Sequence, residues 1–151
     1  YFAARVSDNA IRRTHDRSAA LWADDCLEIF FDADILGDVT YVKQSNDDWQ
    51  MMFAPGDPTG DYKEPAWYST NRMAGAELGS KHVEGGYTIE IRIPIENLRV
   101  KPAPGLAIGM DVNVEDTDPD RKERPVIFWA GDGNDWKDTS RYGVLLLTDG
   151  K

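Results

Sequence analysis

Apolar side chains recur at every second position through most of this chain. Leu27, Ile29 and Phe31 alternate with Cys26, Glu28, Phe30 and Asp32. Trp49, Met51 and Phe53 alternate with Gln50, Met52 and Ala54, and Tyr87, Ile89, Ile91 and Ile93 with Thr88, Glu90 and Arg92. The longest run sets Leu106, Ile108, Met110, Val112 and Val114 against Ala107, Gly109, Asp111, Asn113 and Glu115. Tyr142, Val144 and Leu146 close the series, and Phe2, Ala4 and Val6 open it as a strand already under way. A period of two buries one set and leaves the other on a more polar face, as antiparallel sheets do.

Turn-forming clusters separate the runs: Asp34 to Asp38, Gly56 to Gly60, Glu84 to Gly86, Pro102 to Gly105, Asp116 to Asp120 and Gly131 to Asp135. With 13 Gly and 8 Pro, this punctuation predicts an all-β fold, a two-sheet antiparallel sandwich. Helical signal is confined to a single expected turn at Ile95–Leu98, after Pro94. No repeat or linker divides the 151 residues, which suit one domain spanning 1–151. A chain that opens in mid-strand is expected to be a fragment of a longer protein, lacking its N-terminal strands.

Charge narrows the partners. With 17 Lys and Arg against 27 Asp and Glu, the net charge is −10. Such a surface repels phosphate, so neither nucleic acid nor an anionic membrane is an expected partner. No apolar run approaches the roughly 18 residues of a membrane span. The single Cys26 rules out an internal disulfide and a thiolate zinc cage. His15 and His82 read as solvated loop residues, too far apart in sequence to suggest a metalloenzyme.

Five tryptophans are generous for this length. Trp49 and Trp129 read as core, and Trp67 fits either environment. Trp22, just before a strand, and Trp136, in the polar loop Gly133 to Asp138, carry apolar bulk where water is expected. They read either as lids over the core edge or as platforms for a ligand, and sugars offer C–H faces suited to stacking on indole. Glu28, Gln50, Asp111, Asn113 and Glu115 project from the polar strand faces, giving either an ordinary solvated surface or a hydrogen-bonding patch. Asp8 ends the first strand, Asp24 and Asp25 begin the next and Asp16 lies in the connection between them, while Glu115 to Asp120 form a second acidic run. Either could hold a hard cation, which wants about six to eight oxygens, or be merely solvated. No nucleophile elbow, zinc-protease motif, P-loop or dinucleotide fingerprint occurs.

Four segments, in order, carry a resemblance. They are Tyr1 to Asp8 (YFAARVSD), Trp22 to Asp32 (WADDCLEIFFD), Gly85 to Ile95 (GGYTIEIRIPI), and Gly109 to Glu115 followed by Asn134 to Gly143 (NDWKDTSRYG). Together they resemble the family 9 carbohydrate-binding modules. The resemblance implies a jelly-roll-like sandwich that binds carbohydrate without catalysis. A sugar unit would sit between Trp22 and Trp136, with Glu28, Gln50 and Asn134 as further ligand-binding residues. It also implies structural calcium near Asp8 and Asp25, covalently linked neighbouring domains such as a glycoside hydrolase, and an extracellular or cell-surface location. Two departures stand out. Gln50 and Met52 replace the Arg and Asn that family members can direct at the sugar, and the loop from Asn9 to Leu21 is rich in Arg. The competing readings are a structural spacer that has lost its ligand, a haem-binding relative using His15, His82 or Met52, and, last, an enzyme.

Overall fold

A computed structural model describes residues 1–37, 45–118 and 120–149. Asp38 and Pro119, each inside an expected turn, lie outside the described residues, as do the last two positions of the expected domain. Among the described residues, nine strands form two antiparallel sheets: β1 (Phe2–Ser7), β2 (Cys26–Asp32), β3 (Asp48–Ala54), β4 (Ala66–Ser69), β5 (Glu77–Val83), β6 (Gly86–Arg92), β7 (Ala107–Glu115), β8 (Val126–Phe128) and β9 (Gly143–Leu146). The smaller sheet runs β1-β6-β5 and the larger β4-β3-β2-β7-β8, with β9 also paired to β7. Short 3-10 turns occupy Ala19–Ala23, Thr139–Arg141 and the expected Ile95–Leu98.

The alternating apolar sets meet between the sheets. Leu27, Ile29, Phe31, Trp49, Met51 and Phe53 from the larger sheet pack against Tyr87, Ile89 and Ile91 of the smaller one. Phe2, Ala4 and Val6 close over them. The tight β5–β6 hairpin requires Gly86: a Cβ there would lie 1.9 Å from the Val6 carbonyl oxygen.

Three expectations need correction. The alternating residues of β2 do not leave a solvated face, because all seven are buried. Leu21 from the first 3-10 turn packs on Cys26, Met52 and Ala54, covering the side of the larger sheet that faces away from the core. In β9 the core-facing residues are Leu145 and, just beyond, Leu147, while Val144 and Leu146 are exposed. Pairing explains this: Val144 and Leu146 sit opposite Gly109 and Ala107, on the outer face. Trp129 is also not core but 55% exposed. It follows β8 at the sheet edge and lies over Gly143, where a Cβ would come 2.6 Å from its ring.

Candidate functional site

The outer face of the larger sheet holds a cleft of about 560 Å³. Strand parity builds its floor. Glu28 pairs with Met52 on β3 and Asn113 on β7, Asn113 pairs with Phe128, and Met52 pairs with Tyr68. Directly opposed residues share a face, so this row points into the cleft together, with Gln50 and Phe30 in the next row and Glu115 in the previous one.

The two walls come from loops. Ser18 caps the 3-10 turn, its Oγ accepting from the Ala20 amide at 3.2 Å. Leu21 anchors that turn in the small outer cluster, which leaves the adjacent Trp22 44% exposed on the cleft. Arg124 lies with its guanidinium carbon 4.4 Å from the centre of the Trp22 ring. The second wall is the segment from Trp129 to Asp138, held by two buried aspartates. Asp111 accepts from the amides of Ala130 at 2.7 Å and Gly131 at 3.0 Å. Asp135 accepts from the Asp132 amide at 3.2 Å and from Asn113 Nδ2 at 3.2 Å. Tyr142 donates its hydroxyl to the Asp135 carbonyl at 2.8 Å and sets its ring 5.9 Å from Phe30. Gly131 lets the Asp135 carboxylate approach closely, since a Cβ would fall 2.0 Å from Asp135 Oδ1 and force a shift. The wall presents Trp136, 55% exposed, to the cleft.

Four of the five expected ligand-binding residues therefore line one cleft although they come from distant parts of the chain: Trp22, Trp136, Glu28 and Gln50. Asn134 does not line it. Its side-chain amide turns back to Asp132 Oδ1 at 3.0 Å, and Asp132, Gly133 and Asp135 line the cleft in its place. Tyr68, Thr70, Arg124 and Phe128 also line it, and none was expected from sequence, because they sit in or beside short strands without a readable period. Asn113 and Glu115 were legible as outward residues of β7, but nothing in the sequence marked them above their neighbours.

The floor is acidic and largely buried. Burial, with Glu115 and Asp135 nearby, pushes the Glu28 carboxyl up to about 8, against one hydrogen bond from Gln50. Burial likewise lifts Glu115 to about 7, opposed by Arg124. Asp135 rises to about 6 through burial and the neighbouring Asp111. Among the described residues, Asn113 Oδ1 has no hydrogen-bond partner, and Asn113 is 3% exposed.

The acidic strand ends converge elsewhere. Oxygens of Asp8, Asp116 and Asp118 lie within 4.8 Å of one another, merging the two acidic segments into one group. Arg121 pairs with Asp116 at 3.4 Å and with Asp118 at 3.0 Å. Asp25 stands outside the group, its carboxylate accepting from the amides of Arg12 and, at 2.7 Å, Thr117. Asp24 accepts from the Thr14 hydroxyl at 2.7 Å and the His15 amide at 2.9 Å. The Arg-rich loop is held in the structure by one of its arginines. Arg13 is buried, stacks on Tyr62 and donates to the carbonyls of His15 and Glu64. Of the candidate haem ligands, His15 stands 3.2 Å from Asp24, His82 is on β5 rather than in a loop, and Met52 is on β3 of the other sheet.

The sequence profile of the family described as "Carbohydrate family 9 binding domain-like" matches residues 1–150. Endo-1,4-beta-xylanase A of Thermoanaerobacterium saccharolyticum is 28% identical over 149 residues, covering 98% of this chain and 12% of that protein. Exoglucanase XynX of Acetivibrio thermocellus is 27% identical over 154 residues, again 98% of this chain and 12% of that protein. The chain thus spans a small part of the curated relatives it matches. Among solved structures, a family 9 carbohydrate-binding module from Caldicellulosiruptor kristjanssonii in complex with cellotriose superimposes with a TM-score of 0.74 at 21% identity, covering 99% of this chain and 69% of that one. The same organism's module in complex with glucose gives 0.73 at 21% identity, covering 99% and 70%.

Proposed function

Because the chain belongs to the carbohydrate family 9 binding domains, we propose that the cleft between Trp22 and Trp136 grips one sugar unit of a polysaccharide or oligosaccharide. The family is one of non-catalytic binding modules carried on xylanases. The observation that carries the reading is the pairing of two half-exposed indoles with a polar floor on the same cleft. Indole faces suit the C–H surfaces of a pyranose ring, and Glu28, Gln50 and Asn113 suit its hydroxyls. The loop contacts of Asp111 and Asp135 preorganise Trp136, so little ordering cost remains for binding. A module of this kind would keep an attached glycan-degrading enzyme on its substrate, outside the cell.

Calcium is the proposed structural ion, at Asp8, Asp116 and Asp118 rather than at Asp8 and Asp25. Three carboxylates supply hard oxygen ligands, and Arg121 would have to yield two of them to the cation.

The test is a titration of tryptophan emission with cello- and xylo-oligosaccharides, repeated with Trp136→Ala. Saturable change in the parent and none in the variant supports the cleft. A folded protein that responds to no glycan on a broad array points to a spacer.

A further inference from the structure

Resting on that reading, we propose that the sugar unit this cleft prefers carries an ammonium group where a glucose unit carries a hydroxyl. The ligand class is an amino sugar with a free amine, presented on a β-linked glycan.

Each floor amide spends one of its two N–H donors on a carboxylate of the protein. Gln50 Nε2 donates to Glu28 Oε1 at 3.3 Å, and Asn113 Nδ2 to Asp135 Oδ2 at 3.2 Å. The second contact fixes which way the Asn113 amide points, because its oxygen against a carboxylate would repel. Both amides therefore turn an N–H toward a carboxylate of the protein, and one donor apiece is left beside the carboxyl groups of Glu28, Glu115 and Asp135. Asn113 Oδ1 is buried and without a partner among the described residues, and Asn113 lies on the cleft floor. An orphaned buried acceptor is a costly feature unless a ligand donor reaches it.

Charge points the same way. Glu28, Glu115 and Asp135 line the cleft, against Arg124 as its one lining cation among the described residues. Arg124 is engaged at the wall, over the Trp22 ring and 3.5 Å from the Trp22 carbonyl oxygen. Asp132 is set apart, because Arg141 pairs with it at 2.7 Å. The upward displacement of Glu28, caused first by burial and then by Glu115, is that of a site short of positive charge. A sugar hydroxyl brings one proton and two lone pairs into this acceptor-rich pocket. An ammonium group brings three protons, no lone pair and the missing charge. The Tyr68 and Thr70 hydroxyls, which can donate or accept, remain for the other positions of the ring.

Three dimers with the same β-1,4 backbone test this: cellobiose, the glucosamine dimer and the N-acetylglucosamine dimer. They differ only in the group at carbon 2. Calorimetric titrations at pH 6.5 in 150 mM salt should show the glucosamine dimer binding at least about tenfold tighter than cellobiose, with Glu28 releasing a proton to the buffer as the ammonium group docks. Glu28→Gln should weaken cellobiose binding and weaken binding of the glucosamine dimer much further, removing most of that ratio. Trp136→Ala should weaken binding of every dimer by roughly thirtyfold or more. If cellobiose or the N-acetyl dimer binds as well as the free amine, the ammonium preference is wrong and sugar binding stands. If the glucosamine dimer binds undiminished to Trp136→Ala, attraction to the acidic surface explains it and the preference is again wrong. If no dimer and no longer oligosaccharide binds, the sugar-binding reading itself falls and takes this inference with it.

Discussion

Gln50 Nε2 lies 3.3 Å from Glu28 Oε1, although strand pairing sets Glu28 opposite Met52 and Gln50 opposite Phe30. The contact is therefore diagonal, and it is the single hydrogen bond that lowers the Glu28 carboxyl against burial and like charge. Around Glu28 stand Glu115 and Asn113 from β7, Asp135 from the Trp136 loop, Gln50 from β3 and Arg124 at the wall. Nothing there fully compensates an ionised Glu28.

Stability should accordingly fall with rising pH. A carboxyl raised by folding contributes fully below its ordinary value of 4.5 and loses that contribution as pH climbs toward about 8. The melting temperature measured by calorimetry should drop between pH 5 and pH 8.5. Glu28→Gln should flatten that part of the curve and melt higher than the parent at pH 8.5, with each 1 kcal/mol moving the midpoint by about 2–4 °C. A variant with the parent's slope would assign the pH dependence to other acids.

The wall that carries Trp136 is held by carboxylates, so disturbing it should separate binding from folding. In Gly131→Ala the new methyl would meet Asp135 Oδ1 at 2.0 Å, so the carboxylate that holds the loop, or the loop itself, must shift. The loop lies on the outer face, away from the core between the sheets, so a loss of only about 1–3 kcal/mol in unfolding free energy is expected. Oligosaccharide affinity should fall at least about tenfold, as for misplacement of an anchoring side chain. Chemical denaturation beside a binding titration reads both, and equal affinity in parent and variant would show that the loop's position is immaterial.

Much of this architecture was legible in the chain. The alternation of Leu27, Ile29 and Phe31, and of Tyr87, Ile89 and Ile91, is the core itself. The outward parity of Glu28, Gln50 and Asn113 follows from the same period. What escaped was decided by long-range neighbours. Glu28 and Phe30 look solvated until Gln50 and Asp135 close around the first and Tyr142 sets its ring beside the second. Trp129 looks buried until its strand proves to be a three-residue edge. Asp8 and Asp118, 110 positions apart, share one group only because the segments that follow β1 and β7 come together. Tyr68 and Arg124 reach the cleft from segments too short to show any period.

Those three carboxylates give a metal prediction. A cation that binds only the folded protein stabilises it, by about 2.7 kcal/mol at a hundredfold excess over the dissociation constant. Adding calcium to chelator-treated protein should raise the melting temperature, and Asp118→Asn should reduce the gain. Asp118 is the partner of both Arg121 and Asn9, so its variant is compared with itself, with and without calcium. An unchanged midpoint in the parent at millimolar calcium would leave Arg121 as the group's counter-charge.

The two exposed indoles should differ in how they respond to substitution. Trp136 stands on a loop with Lys137 near its ring, at 5.2 Å, so Trp136→Ala should cost affinity and almost no stability. Truncating an anchoring aromatic typically costs about 2 kcal/mol or more, a loss of roughly thirtyfold. Trp22 is built differently. Arg124 covers its ring at 4.4 Å and reaches its carbonyl, so one substitution removes both a platform and a partner for that guanidinium. Trp22→Ala should therefore cost affinity and also free Arg124 to move toward Glu115, which it already favours in ionised form. A cycle of Trp22→Ala, Arg124→Ala and the double variant measures this, with affinity for the same oligosaccharide as readout. Coupling is expected, since the residues touch. Strict additivity would mean that Arg124 does not position Trp22, and that the indole stands in the cleft by its 3-10 turn alone.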